Sequence, residues 1–469
     1  MTERQPPPQI SDEGILVGWS LEHERGPRPI GFTNGSNDLD RSKYLEPILY
    51  RGSGHLVSVA PTGAGKGTGC IVPTLLRHRG QAIVVDPKGE NYAVTARRRR
   101  ELGHRVVLLD PFRITNGENR DTLNPLDLID KDSPFRLDDV AVLAELIVQR
   151  TPDHRDPFWE DRAEDLITAL LLHILLEAPP AIANLGELHY LLTQPRKAFR
   201  HQMETLAKSG DADLRRMAGI LPWDAERVAA SIISVTQSQV DFLRGQTVQG
   251  VLERSTFSLN DLKEGHLMTI YLVMPPERLE SHGRLLRLWI GTLMTVLLRR
   301  SSPPAERTLF ILDEASQLGT LRQLRQAITM LRGYGLQTWS FWQDLSQLRQ
   351  LYPRDWETMY NNCRVHQHFG LTNMHAVRTA CEMTGYPDEY EILDLDGDEM
   401  MLGLSGDLAV IAQRPNYLTD SIFNGQYDAN PFHPAGDEEE AQAHRPQRTF
   451  RRPFAAEVPA QVTPPFYRK

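Results

Sequence analysis

The stretch Val57-Ser58-Val59-Ala60-Pro61-Thr62-Gly63-Ala64-Gly65-Lys66-Gly67-Thr68-Gly69 constrains the fold of this chain more than any other. Apolar residues alternate up to Ala60, glycines and a lysine follow, and Ile71, Val72, Leu75 and Leu76 then recur at helical spacing. The pattern predicts a strand, a tight turn and a helix. Glycines let such a turn curl so that its N–H groups face inward, and the helix N-terminus adds partial positive charge. This is the layout of a phosphate-binding loop. Thr62, Gly63, Ala64, Gly65, Lys66, Gly67 and Thr68 are the candidate nucleotide-binding residues, with Lys66 placed to meet the β- and γ-phosphates.

The loop departs from the strict pattern G-x-x-x-x-G-K-[ST]. Ala60 holds the first glycine position and Gly67 the final hydroxyl position, so the Mg²⁺-binding hydroxyl falls one residue late, on Thr68. A glycine-rich turn with an incidental lysine is the plainer alternative, and the rest of the chain decides between them.

Downstream the pattern is strand, helix, strand. Gln81 to Asp86 and Arg105 to Asp110 read as apolar strands ending in Asp-Pro, with a helix over Asn91 to Leu102 between them. Continuous apolar strands alternating with helices predict a parallel sheet covered on both faces, with ligands beyond its carboxyl edge. From about Pro134 to Gly250 strand signals vanish and amphipathic helices take over, as in Phe158 to Ile174. The α/β pattern resumes with strands at His266 to Met274, Thr308 to Leu312, Gln337 to Trp342 and, as the last clear one, Arg364 to Gly370. Helices are expected over Leu285 to Arg300 and Leu321 to Arg332. The expected organisation is an arm over 1–45 carrying a short strand, a nucleotide-binding domain over 46–134 and 255–427, an all-helical insertion over 135–254, and a disordered tail over 428–469.

Composition narrows the class. At 469 residues with 40% hydrophobic and 24% charged content, the chain can bury a large core without staples. Three separated cysteines with no CxxC argue against a disulfide framework or a zinc site, and fit a reducing cytosol. The apolar runs Leu166 to Ala178 and Leu288 to Leu298 are shorter than the roughly 20 residues of a membrane span, so the chain reads as soluble. A net charge of −9 does not itself advertise nucleic-acid binding.

A second chemical signal is Thr308-Leu309-Phe310-Ile311-Leu312-Asp313-Glu314, an apolar strand ending in two acids. In this Walker B pattern Asp313 would hold Mg²⁺ and Glu314 would polarise the attacking water. Parallel-sheet order could set this strand beside the phosphate loop. Gln343 ends the next strand, where a polar group can sense the γ-phosphate, and Arg325 and Arg332 lie on the helix between. An arginine from a neighbouring subunit can stabilise a transferring phosphoryl group; a solvated helix arginine is the alternative. His366 and His368 share one strand face without a third metal ligand nearby, and Arg97 to Arg100 read as a solvated helix face rather than a DNA contact.

The chain resembles the coupling-protein ATPases of type IV secretion and bacterial conjugation, the TraG type. The matching pieces run in family order: Ala60 to Gly67; Val85-Asp86-Pro87-Lys88-Gly89-Glu90-Asn91-Tyr92; Asp110-Pro111-Phe112 with Asn124-Pro125-Leu126; Asp156-Pro157-Phe158-Trp159; Phe310 to Gly319; and Gln343-Asp344-Leu345-Ser346-Gln347-Leu348. The resemblance implies a RecA-like P-loop domain with a helical insertion facing the substrate. It also implies a homo-hexamer with ATP and Mg²⁺ between subunits. The implied cargo is single-stranded DNA with its relaxase, or an effector protein, passed to type IV secretion components. It assigns Lys66 to phosphate, Asp313 and Glu314 to the Walker B pair, Arg332 to the trans-acting arginine and Gln343 to γ-phosphate sensing. Gly67 looks like a variant common in that family. The usual N-terminal membrane helices are not evident, so the expectation is a cytoplasmic member without a membrane span, recruited to the inner membrane by partners, or a truncated one. A nucleotide-switched adaptor and a cytosolic DNA-processing ATPase stay open as alternatives.

Overall fold

The computed structural model describes residues 11, 13–21, 45–117, 120–150, 157–330 and 332–432. The prolines at 6–8, the turn at 34–37, Asp156 and most of the predicted tail lie outside the described residues.

The strands are β1 Ile15–Ser20, β2 Glu46–Tyr50, β3 His55–Val59, β4 Ala82–Asp86, β5 Arg105–Leu109, β6 Met268–Val273, β7 Thr308–Leu312, β8 Leu336–Trp342, β9 Cys363–His368, β10 Glu399–Leu404 and β11 Val410–Gln413. They form one 11-stranded sheet in the order β2-β1-β11-β10-β9-β3-β8-β7-β4-β6-β5. From β9 to β5 every pairing is parallel. Strands β3, β4, β6, β7 and β8 are buried along their whole length, as a parallel sheet covered on both faces requires.

The expected parallel sheet is therefore present, and two features extend it. β10 and β11 form an antiparallel hairpin that joins β9 to β1, so β9 is not the last strand. β10, Glu-Met-Met-Leu-Gly-Leu, shows no clean alternation, and β11 has only four residues; neither carries a readable period of two. β1, the short strand expected in the arm, is present and pairs with β2 and β11 in the same sheet.

Helices α1 Val72–Arg77 and α2 Glu90–Glu101 cover one face; α1 follows a π-helical turn, Gly67–Ile71. Between β5 and β6 the described residues hold only helices and turns, namely α3 Arg136–Ile147, α4 Phe158–Glu177, α5 Leu185–Thr193, α6 Arg196–Leu206, α7 Ala212–Met217, α8 Glu226–Val240, α9 Gln246–Val251 and α10 Leu259–Glu264. α11 Pro276–Leu298 starts well before the expected Leu285, because its first turns (Pro-Glu-Arg-Leu-Glu-Ser-His-Gly-Arg) are polar and only its later turns are buried. Leu293 and Trp289 of α11, Leu143 of α3, Leu170 of α4 and Val85 and Leu272 of the sheet belong to one apolar cluster, so the helical segment and the sheet share a continuous core. α12 Arg322–Met330 leads by a turn into β8.

The arginine run on α2 corrects the solvated-face expectation. Arg97 pairs with Asp428 and Glu101, and Arg100 is exposed. Arg99 is fully buried, donating to the carbonyls of Leu75 (3.1 Å), His78 and Gly80 (2.8 Å) and to Thr269 Oγ1 (2.8 Å). It satisfies the otherwise orphaned carbonyls at the end of α1.

A candidate nucleotide site at the carboxyl edge of the sheet

Three consecutive strands of the parallel run deliver the sequence-predicted residues to one edge. β3 ends in the loop Ala60–Lys66. β8 pairs with β3 on one side and β7 on the other, and Gln343 follows its last residue, Trp342. β7 ends in Asp313-Glu314. The loop and the acidic strand are therefore not side by side: β8 lies between them, and their side chains meet across it.

Gly63 and Gly65 hold φ of +79° and +88°, a region other residues avoid, and this curls the loop. Lys66 is only 8% exposed. Its Nζ donates to the Ala60 carbonyl (3.2 Å) and to Glu314 Oε1 (3.1 Å). Gln343 Nε2 donates to Glu314 Oε2 (3.0 Å). The three sequence-predicted residues thus form one chain, Lys66–Glu314–Gln343, with both carboxylate oxygens engaged. Glu314 adopts the left-handed region at φ +54°, ψ 51°, a conformation costing roughly 1–2 kcal/mol in a non-glycine residue. Such strain persists where surrounding structure fixes it.

Asp313 sits beside this chain. Burial and the Glu314 charge push its carboxyl up to about 6, against the pull of Lys66. Its Oδ1 is buried with no hydrogen-bond partner. Asp86, at the end of β4, accepts from Tyr92 N–H (2.8 Å) and Asn91 (3.4 Å), yet burial pushes it up to about 7. A buried carboxylate oxygen without a partner, in acidic surroundings, fits a divalent cation. Among the described residues no group of three His, Cys, Asp or Glu could hold a metal alone, so such a cation would need phosphate oxygens and water as well. Thr68 Oγ1 donates to the Gly65 carbonyl (3.2 Å) and is engaged within the loop. At Gly67 an added Cβ would meet nothing within 4 Å.

Arg325, His366 and His368 are engaged elsewhere. Arg325 pairs with Asp355 at 3.1 Å. Arg332 opens a 3-10 turn, Arg332–Tyr334, and its side chain lies outside the described residues. His366 stacks on Tyr360 at 4.3 Å, and His368 Nε2 bonds the Tyr360 hydroxyl (2.8 Å), so both pack on an aromatic ring. The sequence reading missed Arg414, which follows β11 and touches the loop; a lone arginine after an unrecognised strand carries no local signal.

A family model described as type IV secretory system conjugative DNA transfer matches residues 28–385. The conjugal transfer protein TraG of Escherichia coli is 26% identical over 375 residues, which is 76% of this chain and 58% of that protein. Protein VirD4 of Agrobacterium fabrum is 30% identical over 305 residues, 64% of this chain and 44% of that protein. The chain thus spans about half the length of the curated relatives it matches. The solved bacterial conjugative coupling protein TrwBdeltaN70 aligns with a TM-score of 0.59 at 17% identity, covering 79% of this chain and 86% of that one. This likeness is one of fold, and the fold is the expected RecA-like P-loop architecture. TrwB has been solved with a non-hydrolysable ATP analogue and with ADP and Mg²⁺.

Proposed function

Since the chain belongs to the type IV secretory system conjugative DNA transfer family, we propose that it is an ATP-hydrolysing coupling motor. It recruits single-stranded DNA with its relaxase, or an effector protein, and drives that cargo towards a type IV secretion channel. The observation that carries this reading is the convergence of Lys66, Glu314 and Gln343 at one sheet edge, with Asp313 beside them.

The same proposal assigns the roles. Residues Thr62 to Thr68 surround the phosphates, and Lys66 holds the β- and γ-phosphates. Asp313 would hold Mg²⁺ together with water and phosphate oxygens, and an ion bound there would supply neutralising charge to the phosphates. Glu314 accepts the proton of the attacking water. Gln343 reports whether a γ-phosphate is present. Arg332, supplied by the neighbouring subunit of a homo-hexamer, stabilises charge on the transferred group. The helical segment over 135–254 faces the cargo. Among the described residues no helix is long and apolar enough to cross a membrane. Recruitment of a cytoplasmic chain to the inner membrane by secretion partners is part of the same proposal.

The test is an ATPase assay with size analysis, with and without single-stranded DNA and ATP. Nucleotide-dependent oligomers and DNA-stimulated hydrolysis are expected. A monomer without hydrolysis under every condition overturns the motor. Lys66→Ala distinguishes the adaptor: a motor loses transport, whereas an adaptor whose recruitment does not need ATP keeps its partner binding.

A further inference from the structure

Arg414 reaches the phosphate loop from the outside. It lies just past β11, is 9% exposed, and its guanidinium sits 4.5 Å from the Phe369 ring centroid. Nη1 donates to the Ala64 carbonyl (2.5 Å) and the Gly65 carbonyl (3.4 Å), while Nη2 donates to the Gly397 carbonyl. The Arg414 backbone N–H donates to the Asp398 carbonyl (2.8 Å), and Tyr417 N–H donates to the Thr68 carbonyl (3.3 Å). A Cβ on Gly65 would lie 2.8 Å from Nη1, so the approach depends on glycine there.

We propose that Arg414 is a positioning residue for phosphate binding, acting through the loop backbone. In a planar trans peptide the C=O and the following N–H point in opposite directions. Holding the Ala64 carbonyl outward therefore turns the Gly65 N–H inward; the Gly65 carbonyl, which accepts from Gly69 N–H (2.9 Å) and Thr68 Oγ1 (3.2 Å) as well as from Arg414, does the same for the Lys66 N–H with Arg414 in a supporting part. These are the donors a phosphate cradle needs. The guanidinium fork suits this task because it spans the loop and the Gly397 carbonyl together, with the ring of Phe369 beneath it. The hairpin β10–β11 thereby becomes part of the nucleotide site, joined to it by one side chain. This rests on the reading that the loop binds nucleotide.

The experiment measures Kd for a fluorescent ATP analogue, with KM and kcat for ATP, in the full chain and in Arg414→Ala, Arg414→Lys and Lys66→Ala. Arg414→Ala should raise Kd and KM by about 10- to 100-fold, the effect of losing charge-assisted hydrogen bonds. Its kcat at saturation should stay within about threefold, because Arg414 does not touch the reacting atoms. Arg414→Lys should fall between, and added guanidinium should restore part of the affinity of Arg414→Ala. A purely structural role would lower the melting temperature without rescue of affinity. If Arg414→Ala fails to fold, Arg414→Lys carries the test by its smaller rise in Kd and KM. Unchanged Kd and KM, or a fall confined to kcat, overturns the proposal while leaving nucleotide binding intact. A wild-type chain that binds no nucleotide overturns both readings, and loss of binding in Lys66→Ala alone shows that the loop binds without help from Arg414.

Discussion

Glu314→Gln should weaken hydrolysis and tighten nucleotide binding at once. Glu314 pairs with Lys66 at 3.1 Å, with the two side chains 22% and 9% exposed. At that separation the Coulomb attraction is about 5 kcal/mol at an effective dielectric of about 20. Desolvation of both groups cancels much of it. The net worth is then that of a hydrogen bond between charged groups, about 1.5–3 kcal/mol. An arriving γ-phosphate must displace this bond. A glutamine keeps a hydrogen bond of about 0.5–1.5 kcal/mol but no charge, and Gln343 can turn its amide to match. The competing contact thus weakens by about 1–1.5 kcal/mol, which predicts binding tighter by roughly five- to tenfold. Hydrolysis should fall by about 10²-fold or more, since the proton acceptor is gone. Titration with a fluorescent ATP analogue and steady-state hydrolysis on the same preparation give both numbers. Binding that is unchanged or weaker in Glu314→Gln would refute the idea that Glu314 and phosphate compete for Lys66. Hydrolysis at the wild-type rate would refute its role as base.

Three other outcomes are expected. Arg99→Ala should destabilise the chain by about 2–5 kcal/mol, because it strips the donor from the carbonyls of Leu75 and Gly80, at about 1–3 kcal/mol for each group left unpaired. Arg100→Ala, on the exposed side of the same helix, should stay within about 0.5 kcal/mol; denaturant melts of the two compare them directly, and equal losses would contradict the buried role. Gly67→Ser should fold normally, since its Cβ enters open space, and should lower the Mg²⁺ concentration needed for half-maximal hydrolysis by offering the missing hydroxyl; an unchanged Mg²⁺ requirement would show that Asp313 and water suffice. The carboxyl of Asp313 is raised from 3.8 to about 6, so the folded state binds its proton more tightly than the unfolded chain does. Stability contributed by this group falls as pH rises through that window. Asp313→Asn should therefore gain stability over the wild type between about pH 4 and 6 and hold the gain above it, as nucleotide-free melts at several pH values would show; a gain that is largest at pH 4 would have the wrong sign.

The sequence by itself determined the parts of the site whose signal is local. Asp313 and Gln343 each follow a short apolar run and Lys66 ends the glycine-rich loop after another, and such a run is a strand because of its own periodicity, whatever lies elsewhere. The parallel sheet then places all strand ends on one edge, so their proximity was legible before any coordinates. Tertiary structure alone decided how they meet. It inserted β8 between β3 and β7, which makes Gln343 a neighbour of Glu314, because strand order depends on long-range packing and not on local pattern. It buried Arg99 within a run of four arginines, since only the end of α1, remote in sequence, supplies the carbonyls that make burial tolerable. It brought Arg414 to Ala64 across 350 positions of sequence, through a hairpin too short to announce itself. Contacts of that separation leave no trace in a window of residues, because the physics that selects them acts only once the sheet has closed.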